Sequence, residues 1–146
     1  MKMLSWIFVA FTALAVSACG TTQQNSQTAA QGQSLIGDWN GTWTADNGSS
    51  GEFALKVIRV SKGGRIIARR SSPTEKEASV EHVTMGKITG DQIELDRGKG
   101  KNSWIKLSMQ KADDGQLWLK GRYSATAGKK GSKKVVQGSI SIKKAN

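Results

Sequence analysis

The chain has one histidine and one cysteine, beside 11 Asp+Glu and 22 Lys+Arg in 146 residues. A single imidazole and a single thiol cannot build a Cys/His zinc cluster or an intramolecular disulfide, and they leave at most one imidazole for general-base work. His82 stands among Val80, Glu81, Val83 and Thr84, where a structural role or a mild pH response fits better than a base. Glu94 and Asp96 alternate with Ile93 and Leu95, which makes them outward strand positions rather than a catalytic carboxylate pair. No catalytic residue, metal ligand or cofactor is expected, and the protein reads as non-enzymatic.

The residues with chemistry to offer are cations and tryptophans. Residues 97–146 hold 13 Lys+Arg against 2 Asp+Glu, whereas residues 20–96 hold 8 against 9. A merely soluble surface would intersperse both signs, so the basic half points to an anionic partner. Two Gly/Lys loops concentrate it: Arg97-Gly98-Lys99-Gly100-Lys101, and Gly128-Lys129-Lys130-Gly131-Ser132-Lys133-Lys134. Glycine lets backbone N–H groups approach phosphate or sulfate oxygens closely. Neither loop is a GxxxxGK[ST] phosphate loop opening a helix.

Residues 102–124 read as a hairpin with its turn at Lys111 to Gly115, which sets Gln110 opposite Gln116, Ser108 opposite Trp118, Lys106 opposite Lys120 and Trp104 opposite Arg122. One face then carries Trp104, Trp118, Lys106, Lys120 and Arg122. Directly opposed like charges are unfavourable unless an anion lies over them, and exposed Trp beside cations suits sugars, lipid headgroups or unstacked bases. The same residues admit two other readings: the tryptophans cover a gap under a loop while the lysines are solvated, or the register is off by one.

The elements that position these groups begin after a leader. Lys2 precedes an apolar run from Met3 to Val16, too short to span a bilayer comfortably and followed by small residues, which fits a secretory signal peptide over residues 1–18. Val16-Ser17-Ala18-Cys19 resembles the lipobox of bacterial lipoproteins. That resemblance implies cleavage before Cys19, acylation of its sulfur and membrane attachment through the lipid. In that family Asp after the cysteine retains a protein at the inner membrane; Gly20 stands there, which implies the bacterial outer membrane, facing periplasm or exterior. Residues 19–34 then form a lipidated cysteine and an uncharged tether too poor in apolar residues to fold alone.

From Leu35 the apolar period is two, with Gly, Asp and Asn turn signals about every ten residues. Strands are predicted over 37–45, 51–61, 64–70, 78–88, 92–97, 102–111, 116–124 and 133–143. Residues 35–146 should form an all-β domain, an up-and-down antiparallel meander of about eight strands closed into a small barrel, with a two-sheet β-sandwich as the alternative. Gly37-x-Trp39 and Gly41-x-Trp43 resemble the first-strand motif of the calycin barrels, the lipocalins and avidins, in which the Trp plugs one end. The resemblance implies architecture alone. The alternation predicts a core of Trp39, Trp43, Phe53, Leu55, Val57, Ile66, Ile93, Leu95, Ile105, Leu107, Met109, Leu117, Leu119, Tyr123, Val136, Ile140 and Ile142, with the 97–101 and 125–132 loops at one end. Arg69-Arg70 and residues 71–77 read as a mixed-charge exposed loop.

Three functions stay open on these grounds. The first is a binding module for an anionic polymer or headgroup, such as lipopolysaccharide, an acidic polysaccharide or DNA. It would use Arg97, Lys99, Lys101, Lys106, Lys120, Arg122, Lys129, Lys130, Lys133 and Lys134, with Trp104 and Trp118 stacking. The second, implied by the calycin resemblance, is a carrier of a small apolar ligand in the barrel. The third is docking or assembly with another envelope protein.

Overall fold

The computed structural model describes residues 30–71, 82–96, 103–127 and 132–146. A helix over 30–35 leads into eight strands: β1 (Gly37–Ala45), β2 (Ser50–Val60), β3 (Arg65–Arg70), β4 (His82–Thr89), β5 (Gln92–Asp96), β6 (Trp104–Lys111), β7 (Leu117–Ala127) and β8 (Lys134–Lys144). Each pairs antiparallel with the next, and β8 returns to pair with β1, Trp43 standing opposite Ile140. The sheet is a closed up-and-down barrel, not a sandwich, and closure leaves no unpaired edge. Every strand finds both neighbours within residues 37–144, and the buried hydrophobic residues among those described lie within 35–142.

Three hairpins use one turn. Asp46-Asn47-Gly48, Lys62-Gly63-Gly64 and Asp113-Asp114-Gly115 each close a three-residue loop in which the Gly N–H donates to a carbonyl three residues back. Gly48, Gly64 and Gly115 have φ of 88°, 78° and 84°, the left-handed conformation that such a loop needs at its last position.

The inward positions are Trp39, Phe53, Leu55, Val57, Ile66, Ile93, Leu95, Ile105, Leu107, Leu119, Tyr123, Ile140 and Ile142, all buried as the alternation predicts. Trp43, Met109 and Leu117 pack against this core from partly buried positions, and Val136 is half-buried rather than central. Leu35, Ala45, Ala68, Ile88 and Ala125 join the buried set unannounced. Four are small or lie at a strand end, where alternation over a few residues carries little signal; Leu35 belongs to no strand. Residues 30–34, read as the end of the tether, form the helix with Leu35. The Trp39 indole N–H donates to the Leu35 carbonyl at 2.8 Å. Together Leu35 and Trp39 close the barrel end at which β1 begins.

Candidate functional site

Strand directions sort the barrel into two ends. The helix, the short turns after β2, β4 and β6, and the C-terminus share the closed end. The turn 46–49, the ends of β3, β5 and β7 and the starts of β4, β6 and β8 share the other. The 97–101 and 128–131 segments therefore join strands at one end, as the meander requires, but Arg97, Lys99, Lys101, Lys129 and Lys130 lie outside the described residues, as do the leader and Cys19.

Among the described candidates, Lys106, Lys120, Arg122, Lys133 and Lys134 are exposed, and Trp104 and Trp118 are half-buried. The β6–β7 register differs by two residues from the sequence expectation. Gln110 faces Trp118, Ser108 faces Lys120, Lys106 faces Arg122 and Trp104 faces Ser124. The cause is the turn: Ala112 N–H donates to Gln116 O, so the loop closes on 112 and 116 rather than on 110 and 116. A two-residue shift preserves the faces, but it changes the electrostatics. The opposed cations Lys106 and Arg122 each meet an acid from a neighbouring strand or turn. Lys106 Nζ is 3.6 Å from Glu94 Oε1, and Arg122 donates to both Asp46 carboxylate oxygens at 3.1 and 2.8 Å. An external anion is not needed to relieve their repulsion.

Each tryptophan has its own lysine above the ring, Lys106 at 5.6 Å from Trp104 and Lys120 at 5.1 Å from Trp118. Opposite register puts the rings six residues apart along the strands, roughly 20 Å, too far to sandwich one base or sugar.

The barrel interior offers a second group of polar residues at the long-loop end. On β3 the inward series Ile66, Ala68, Arg70 ends in a guanidinium only 5% exposed. Arg70 is therefore a buried strand residue and not part of an exposed loop. Its Nη1 donates to the Ser71 carbonyl at 3.3 Å, and its register partner on β4 is His82, half-buried at the first position of that strand. Thr84, the next inward residue of β4, is buried and donates its hydroxyl proton to the Asp96 carbonyl. On β1 the Trp43 indole lies over Gly51, where a Cβ would come within 2.8 Å of the indole nitrogen. The Trp43 ring meets Tyr123 edge-on, 6.4 Å between centroids and 85° between planes.

The interior is thus asymmetric: apolar and closed at the helix end, aromatic and polar at the other. The signal for Arg70 was present in the alternation of β3, but two adjacent arginines beside Ser-Ser-Pro read as surface. Among the described residues no cluster of His, Cys, Asp and Glu could hold a metal ion, and no helix is long and apolar enough to cross a membrane.

Comparison with known proteins adds a likeness of shape. No protein-family model and no curated protein matches the chain. Among solved structures the chain is similar to apo shwanavidin in two crystal forms. The P21 form has 13% identity over 77% of this chain and 97% of that one, with a TM-score of 0.47; the P1 form has 12% identity over 71% and 92%, with a TM-score of 0.45.

Proposed function

We propose that this chain is a lipid-anchored, non-enzymatic binding protein whose barrel takes a small, largely apolar ligand with a polar or acidic end. The observation that supports it is the asymmetry of the inward positions, with Leu35 and Trp39 buried where β1 begins and Trp43, Arg70, His82 and Thr84 at inward positions near the opposite strand ends. Binding sites for small molecules are concave and mostly apolar, with a few convergent polar groups that set orientation. Trp43 would flank the apolar body and Arg70 would orient an acidic head. Anchoring would come from acylation of Cys19, with the outer membrane as its site.

Native mass spectrometry of the protein purified from its host is the direct test. A co-eluting small molecule, lost in Arg70→Gln and Trp43→Ala with the fold retained by circular dichroism, is expected. A barrel that emerges empty and shows no tryptophan quenching by long-chain carboxylates sinks the carrier reading. Radiolabelled palmitate incorporation, absent in Cys19→Ser, tests the anchor separately.

A second reading, capture of an anionic polymer, is favoured by one observation: Lys120, Lys133, Lys134 and Lys143 are exposed, and the register partners of Lys120 are serines. Such binding would fall steeply with salt. A panel of lipopolysaccharide, acidic polysaccharide and DNA at low and near-physiological salt decides it, indifference to salt or to Lys133→Glu/Lys134→Glu counting against it.

A further inference from the structure

Of the four exposed large hydrophobic residues among those described, three stand on the outer face of β2–β4, the fourth being Val135 on β8. Val83 and Met85 are 71% and 68% exposed, Ile58 is exposed, and Ile67 between them is half-buried. They form one patch because of register. Ile67 faces Met85 on one side, and on the other a β-bulge in β2 replaces one residue by Ile58 and Arg59, both turned outward. Arg59, Arg65, Arg69 and Lys87 surround it, all exposed. Among the described residues the nearest acids lie at its border: Asp96 opposite Met85, Glu94 opposite Lys87 but 3.6 Å from Lys106, and Asp38 3.3 Å from Lys56. Between Phe53 and Arg70 the chain has six cations and no acid, a local excess that the near-neutral total of residues 20–96 conceals.

Exposed aliphatic and thioether side chains inside a ring of arginine and lysine match an anionic bilayer, whose headgroups pair with the rim while the apolar tips enter the acyl boundary. The direction from which the chain enters the barrel agrees. The helix 30–35 crosses the closed end with Gly32 against Val60, at the end of β2, and with the Ser34 carbonyl accepting from Lys144 Nζ on β8 at 2.6 Å. Gly32 therefore lies beside the end of β2, one residue from Arg59 at the edge of the patch. Ten residues separate Cys19 from Ala30, a span of at most about 40 Å. Local concentration at an anchored surface lets even a weak patch engage.

We infer that the outer face of β2–β4 is a bilayer-docking surface that lays the barrel against anionic phospholipid, with Ile58, Val83 and Met85 inserted and Arg59, Arg65 and Lys87 on the headgroups. The barrel axis then lies along the membrane plane. The inference rests on the anchor part of the proposed function but not on a barrel ligand.

The test uses residues 19–146 carrying Cys19→Ser, so that no acyl chain contributes, with Val83→Cys labelled by a polarity-sensitive fluorophore and Ser139→Cys, on an outer strand face away from the patch, labelled as control. Vesicles rich in phosphatidylglycerol should shift the Val83→Cys emission to the blue and leave Ser139→Cys unchanged, whereas phosphatidylcholine vesicles should do neither. Arg59→Glu/Arg65→Glu should raise the lipid concentration at half-effect by about tenfold or more, with an unchanged thermal midpoint. Absence of a shift at saturating anionic lipid, or an equal shift at both labels, overturns the proposal. A shift that needs no lipid and grows with protein concentration also overturns it, because the face then binds a second copy. Absence of palmitate labelling on the protein with Cys19 intact in vivo, with lipid docking retained in vitro, would refute the anchor alone.

Discussion

At the residue scale, two glycines and one tryptophan carry consequences that composition does not show. Gly121 lies on the inward face of β7, where a Cβ would stand 2.0 Å from the Lys106 carbonyl oxygen and 2.8 Å from the Leu107 Cα. These are backbone atoms of the paired strand, so the barrel wall itself would have to move. Gly121→Ala should cost about 3 kcal/mol or more, seen as a drop in the urea midpoint. Gly115 is the contrast: φ is +84° but the space is open, with only Lys111 Cε at 4.0 Å. Gly115→Ala should cost about 1–2 kcal/mol, the left-handed penalty alone. Trp39→Phe keeps the apolar plug but removes the N–H that Leu35 O accepts. A loss of about 1 kcal/mol is expected, together with faster proteolysis near residue 30. The Gly-x-Trp spacing announced Trp39; nothing in the sequence announced its acceptor, since a carbonyl has no residue signature. Nor does the sequence carry a signature of the neighbouring backbone against which Gly121 is packed.

The strands were legible as elements because both their signals are local. Alternation names a face, and Asp-Asn-Gly, Gly-Gly and Asp-Asp-Gly name the turns. Register was less so, since it depends on which pair of residues closes the loop. Counting Lys111–Gly115 as the turn shifted the β6–β7 ladder by two, which left every face correct and every cross-strand pair wrong. The pairs are what decide the charge chemistry of that strip. The Arg122–Asp46 bridge joins β7 to the turn after β1, across 76 residues of sequence, and no local pattern points to it. Both side chains are about half exposed, so Asp46→Asn should change stability by less than about 1 kcal/mol, with the difference vanishing in high salt.

For the whole molecule, closure is the governing fact. Eight strands pair in sequence order and the last returns to the first, so the helix end and the long-loop end become chemically distinct places. Leu35, completely buried under the closed end, measures how firmly that end is held. Leu35→Ala should lower unfolding free energy by about 2–5 kcal/mol, readable from denaturant titration, while leaving vesicle docking intact. By itself the sequence determined the all-β class, most of the inward and outward faces, the neighbourhood of the short turns and the charge excess of the last fifty residues, because each depends on residue type at short spacing. Only the tertiary structure decided that Lys106 and Arg122 are neutralised by acids, that Arg70 turns into the barrel and that Ile58, Val83 and Met85 gather inside a basic rim. Those outcomes depend on register, on a β-bulge and on the closing of the sheet, which set distances between residues the chain holds far apart.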